Sequence, residues 1–194
     1  WKGLLLAFAI AVGIAGCVWL WIVVNPLSSL LKRQLAWAYS CAGRHDEAIA
    51  ELEEMKTRMG RSPDWLRASF GEEYLAKSTY PEAIAALESA VTVSDSSPWF
   101  VPLLAHAYAR AGRVGDAHRL LLWLEQRPGR WYAPELYTAL GDTGRAIAMV
   151  QSAFEQRSNS ILNLRCETAY PALRNQPRIR EIVRRTILRW PSVE

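Results

Sequence analysis

Three histidines and three cysteines are the side chains of this chain best suited to metal, redox or nucleophilic chemistry, and their spacing assembles none of it. His45, His106 and His118 never stand at i and i+4, the spacing that aims two imidazoles at one ion from a helix. Cys17, Cys41 and Cys166 are odd in number, far apart and outside any Cys-x-x-Cys pair, so neither a disulfide framework nor a zinc site is encoded and stability is expected to come from packing. The phosphate-cradling Gly-x4-Gly-Lys loop, the Gly-x-Ser-x-Gly elbow, His-Glu-x-x-His and Gly-x-Gly-x-x-Gly are all absent. The expectation is a protein that is not an enzyme and carries no metal or cofactor. The chemistry left is that of binding. Trp37 has Arg33 one helical turn before it, and His106 has Arg110 one turn after, so each pair would share a helix face.

Those residues need elements to hold them, and the elements repeat. Tyr, then Ala nine residues on, then Leu or Val four further, occurs four times: Tyr39, Ala48, Leu52; Tyr74, Ala83, Leu87; Tyr108, Ala117, Leu121; Tyr137, Ala146, Val150. Successive copies are offset by 35, 34 and 29 residues, and Ala36, Gly71 and Ala105 precede the first three tyrosines by three. Self-similarity near this length signals stacked helix-turn-helix units that cannot bury their apolar faces alone.

With these residues the sequence resembles a tetratricopeptide repeat array, whose pattern is a large residue, Leu-Gly, Tyr, then Ala, Phe or Leu and a closing Pro. Leu35-Ala36, Phe70-Gly71 and Leu104-Ala105 match the Leu-Gly position. The resemblance covers about residues 28–157. It implies pairs of helices A and B, with small residues where the two approach closely and Tyr39 and Leu52 filling the space to the next repeat. Gly43 and Gly112, in AGRHDEAIAEL and AGRVGDAHRLL, are suited to end helix A in a left-handed conformation. Ser62-Pro63 and Ser97-Pro98 supply an N-cap and a first-turn proline for the next helices. Ser78 replaces the turn glycine in the second copy. The fourth copy has lost about five residues before Tyr137 and carries Pro134 in place of the small residue, so its helix A should be short.

The resemblance also implies a concave groove lined by helices A, into which the residue after each small position points: Trp37, Glu72 and His106. Arg33, Ala68 and Pro102 lie one turn away, with Cys41 and Arg110 beyond. Arg33, Trp37, Glu72, His106 and Arg110 are therefore the candidate partner-binding residues, for a protein or peptide held by stacking and charge-assisted hydrogen bonds. The bland alternative is a set of solvated groove positions. His45 and His118 are expected to pack. The basic and asparagine set that clamps a C-terminal carboxylate in some chaperone-binding members is not matched, because Trp37, Glu72 and Ala68 occupy its place, so no binding of chaperone tails is expected.

From Gly3 to Val24 run 22 residues without a charge, long enough as a helix to cross a bilayer, with Trp19 and Trp21 near one end. This is read as a transmembrane anchor. Two alternatives are a lipoprotein signal at Ile14-Ala15-Gly16-Cys17, against which the apolar VWLWIVV argues, and a buried repeat helix. The chain starts at Trp1, so it is expected to be a fragment or a processed product. The net charge of +4 does not form a nucleic-acid footprint: residues 32–173 hold 16 basic and 17 acidic side chains. The excess sits in 174–194, where PRIREIVRRTILRW forms a basic amphipathic helix, read as a cap on the last repeat, with membrane-surface or nucleic-acid contact as alternatives.

The sequence thus predicts an all-α, tetratricopeptide-like solenoid of about four helix pairs with an N-terminal transmembrane helix and a C-terminal capping helix. The expected boundaries are 1–26 for the anchor; 27–61, 62–96, 97–130 and 131–157 for the repeats; and 158–194 for the cap. The expected function is a single-pass membrane scaffold for protein binding, with the side of the membrane open. The segment LNLRCETAYPALRNQPRIREIVRRTIL resembles the closing part of bacterial membrane-anchored regulators. That likeness implies a second reading, the sensory or assembly half of a regulator whose effector domain lies upstream of Trp1. No kinase or winged-helix motif is present in this chain.

Overall fold

A computed structural model describes residues 30–97, 99–126, 134–157, 172–173 and 175–189. Among the described residues there are nine helices: α1 (30–41), α2 (His45–Met59), α3 (Asp64–Ala76), α4 (Tyr80–Val93), α5 (Val101–Arg110), α6 (Val114–Glu125), α7 (Pro134–Ala139), α8 (Thr143–Glu155) and α9 (Pro177–Arg189). The candidate anchor, residues 3–24, lies outside this set, and no described helix is long and apolar enough to cross a membrane.

The turns between paired helices follow from one local device used four times. Gly43, Ser78, Gly112 and Gly141 end α1, α3, α5 and α7 with positive φ of 71°, 62°, 78° and 86°. The next residue's N–H then reaches back to the carbonyl of the repeat tyrosine: Arg44 to Tyr39 at 2.9 Å, Thr79 to Tyr74 at 2.9 Å, Arg113 to Tyr108 at 2.8 Å and Asp142 to Tyr137 at 2.8 Å. This closure satisfies carbonyls that a helix end leaves without partners and turns the chain back on itself. In the first and third copies the arginine after the glycine also lies over the tyrosine ring, Arg44 at 4.5 Å and Arg113 at 4.2 Å from the ring centre.

Helix starts depart from expectation by a residue or more. Pro63 itself stands at the N-cap of α3 with extended backbone, and the Asp64 carboxylate accepts from the Trp65 N–H at 2.8 Å, so Ser62 does not cap. Ser97 opens a turn, its carbonyl accepting from Phe100 and Val101, and α5 begins only at Val101 with Pro102 in its first turn. Helix α7 has six residues, the short helix the fourth copy was expected to give.

Packing is sequential. Helices α3 and α4, α5 and α6, and α7 and α8 form hairpins; α2 meets α3, α4 meets α5, and α8 meets α9. Lys32 of α1 bonds Glu51 at 3.0 Å and Glu54 at 2.5 Å on α2. The repeated alanines Ala48, Ala83, Ala117 and Ala146 are completely buried, and Leu52, Leu87, Leu121 and Val150 nearly so. Tyr74 packs against two successive apolar clusters, as does Tyr108, so the tyrosines join one unit's core to the next. Helix α9 places Ile179, Ile182 and Thr186 inward and leaves Arg178, Arg180, Arg184 and Arg185 exposed. It meets α8, so its apolar face covers the end of the stack. Cys41 at the end of α1 is disulfide-bonded, which corrects the expectation that packing alone holds the fold.

Candidate binding groove

Curvature follows from which helices touch. Besides the sequential pairs, α3 contacts α5 and α5 contacts α7, whereas α4 with α6 and α6 with α8 make no comparable approach. First helices that meet while second helices splay put α3, α5 and α7 on the inside of the bend. The side chains that this inner face carries are fixed by helical register. A residue packed into its own hairpin, such as Gly71 or Ala105, is followed 100° around the helix by Glu72 or His106.

Glu72 is solvent-exposed, yet desolvation is the leading cause that raises its pKa to about 7. Repulsion from Glu73 and then Glu135 adds to the rise. Glu135, half-buried on α7, is also raised to about 7 by desolvation, opposed by a hydrogen bond from its own backbone. His106 on the intervening α5 is half-buried and pushed down to about 4 by desolvation and by Arg110, so it is a neutral imidazole at neutral pH. Glu72 and Glu135 lie two helix pairs apart in sequence, yet the charge of Glu135 contributes to the rise at Glu72.

The five candidates of the sequence are not all joined. Glu72 and His106 stand on adjacent inner helices, and Arg110 acts on His106 but is itself exposed and donates to the Tyr80 hydroxyl at 3.2 Å. Trp37, 52% exposed, holds the matching register on α1. Arg33 is exposed and lies over the Trp65 ring of α3, 5.7 Å from its centre. Of the flanking positions, Ala68 and Pro102 are buried between helices and do not line the face, because one turn back from Glu72 and His106 the neighbouring helix already covers them. His118 was expected to pack; it is exposed, one residue beyond fully buried Ala117, with Nδ1 3.0 Å from the Val114 carbonyl. His45 is partly buried, and its ring does more than fill space: Nδ1 lies 2.8 Å from Oε2 of Glu73, which is 6% exposed. Asp46 and Lys77 pair beside it, so two polar links tie α2 to α3.

Two residues were missed. Glu135 follows Pro134, the fourth copy's counterpart of Ala36, Gly71 and Ala105, and extending the same count by one copy would have found it. Glu73 carried no signal, since only the packing of α2 on α3 buries it. Among the described residues no three His, Cys, Asp or Glu side chains gather where they could hold a metal ion. No family model, curated protein or solved structure matches this chain.

Proposed function

We propose that the protein is a membrane-tethered, tetratricopeptide-like scaffold that captures a peptide or partner surface on the inner face of α3, α5 and α7, extended by Trp37 of α1. The observation that carries this is the column Glu72, His106 and Glu135, each one residue beyond the position matching Gly71 and Ala105 on α3, α5 and α7, successive helices that contact one another directly. Such groups are poised to gain partners when a ligand enters. The exposed indole of Trp37 adds the aromatic anchor common at interfaces. The tether rests on the uncharged run of residues 3–24, whose length suits a bilayer. A random displayed-peptide library selected on the full chain tests the groove. Binders should lose at least tenfold in affinity on Trp37→Ala with Arg33→Ala, with far-UV circular dichroism unchanged. Binders indifferent to those changes and to Glu72→Gln would place recognition elsewhere. Resistance of the protein to alkaline carbonate extraction from membranes tests the tether.

A further inference from the structure

From the register of the repeats we infer that the outward face of α1 is an interface between two copies of this chain, meeting helix to helix across a two-fold axis. The inference goes beyond the groove and rests on the tether part of the reading above. A shift of 35 residues carries Leu31 and Leu35 of α1 onto Leu66 and Phe70 of α3. A further 34 carries Leu35 onto Leu104 of α5, and the same two steps carry Ala38 onto Ala107. On α3 and α5 these positions are buried beneath the second helix of the preceding pair. Leu66 and Phe70 share a cluster with Leu52 and Met55 of α2, and Lys56 of α2 lies over the Phe70 ring. Leu104 and Ala107 share one with Ala83, Leu87 and Ala90 of α4. Helix α1 is the first of the described helices, and on it Leu31 is 66% exposed, Leu35 40% exposed and Ala38 also exposed. Moving such apolar surface from water into a packed contact is favourable, and the later repeats show that a stripe in this register receives a helix.

Charge and the path of the chain select the occupant. Leu31, Gln34, Leu35 and Ala38 lie on one stripe, spaced by three and four residues, and none of them is charged. The two cations of the helix are drawn off that stripe: Lys32 pairs with Glu51 and Glu54 of α2, and Arg33 lies over the Trp65 ring of α3. Such a stripe meets its own copy without like-charge repulsion, and the small Ala38 lets two backbones come close. Leu30 stands six residues after Val24, the end of the uncharged run, a reach of at most about 20 Å. A tether there keeps α1 of every copy on one side of the bilayer and near its surface, where confinement raises the effective concentration of like faces. A two-fold axis along the membrane normal then joins two α1 stripes with both tethers on the same side. Lipid is the poorer occupant, because a helix lying in the interface draws on cations beside its apolar face, and both cations of α1 are already engaged.

The test uses the full chain in membranes, with Leu35 replaced by the photoreactive p-benzoylphenylalanine, which on irradiation forms a carbon–carbon bond to a group lying against it. The expected product is an adduct of two chains joined through α1 of each. The same photoreactive group in place of Leu122 on α6, also exposed, should give at least tenfold less of a two-chain adduct. Leu31→Gln with Leu35→Gln should weaken self-association at least tenfold, read as lost energy transfer between donor- and acceptor-labelled chains in vesicles. Both side chains are exposed, so far-UV circular dichroism should be unchanged. Adducts with lipid, with residues 1–29 of the same chain or with another protein overturn the inference. So does self-association that the double Gln variant leaves intact. Alkaline carbonate judges the tether separately. A chain that carbonate extracts but that still forms the adduct keeps the interface and loses the tether. A chain retained in the membrane without the adduct keeps the tether and loses the interface, and extraction without the adduct overturns both.

Discussion

Replacing Gly71 with alanine should destabilise the protein, although alanine is the better helix former. An added Cβ would stand 2.8 Å from Cδ2 and 3.2 Å from Cδ1 of Leu87, and closer still to its Cγ. Carbon atoms in good contact sit about 3.5–4.0 Å apart, so Leu87 or the α3–α4 hairpin must give by up to about 1 Å. Leu87 has no free side to move toward. It is completely buried among Leu75, Ala83, Ala90 and Leu104. Overpacking of this kind costs about 1–3 kcal/mol, and glycine to alanine within a helix returns about 1 kcal/mol. The net loss is then up to about 2 kcal/mol, or a fall in Tm of up to about 8 °C for a chain of this size. Thermal and urea unfolding followed by circular dichroism would read it, on Gly71→Ala, Leu87→Ala and the double variant. Leu87→Ala alone should cost about 2–5 kcal/mol by leaving a cavity. In that background the alanine at position 71 should be neutral or stabilising by up to about 1 kcal/mol. A Gly71→Ala protein more stable than wild type, or strictly additive losses in the double variant, would falsify the steric account.

Further expectations follow from the same structure. Ser78 is the one non-glycine among the four left-handed turn positions, so Ser78→Gly should raise the urea-derived stability by about 0.5–1 kcal/mol, partly offset by the lost hydrogen bond to Tyr80, whereas Ser78→Val should lower it. Glu72 and Glu135, raised from 4.5 to about 7, bind more protons folded than unfolded across that interval, so their contribution to stability is present below pH 4.5 and lost as pH rises through 7. Glu72→Gln with Glu135→Gln should therefore raise Tm at pH 8 and leave it little changed at pH 5; the opposite ordering would discredit the desolvated pair. His106, lowered from 6.5 to about 4, works in reverse: its contribution is present above 6.5 and lost as pH falls toward 4, and His106→Gln should flatten that acid limb of a Tm against pH curve. His45→Ala leaves the buried Glu73 carboxylate without its partner and should cost about 2–3 kcal/mol, while His45→Phe with Glu73→Leu should recover most of that in chemical denaturation.

Much of the fold was legible because the repeat writes the same local physics four times. The Tyr-Ala-Leu spacing set which residues are buried, since in a 3.6-residue helix that spacing fixes the apolar stripe, and the alanines at its centre are fully enclosed in every copy. The turn glycines announced their left-handed termini, and even the odd Ser78 obeys, because the hydrogen-bonded closure around it imposes the conformation that its side chain disfavours. Helix starts were less legible. Pro63 excludes a helical conformation for the residue before it, and Ser97 forms a turn of its own, so the serines that looked like caps stand outside the helices.

The candidate site divides along the same line. One-residue offsets from a buried small residue located Glu72, His106 and, had the count been continued, Glu135, because helical register is a local property. Their sharing of one face is not local, and neither is the burial of Glu73 beneath His45 or the placing of Arg33 over the Trp65 ring. The sequence by itself determined helices, turns and the alternation of packed and open positions, since each rests on interactions spanning a few residues. Only the tertiary structure decided the curvature, because that depends on how closely α3, α5 and α7 approach while their partner helices splay. With the curvature came the loss of hydration that raises Glu72 and Glu135 above the usual carboxylate range, and the charge of Glu135 that adds to the rise at Glu72.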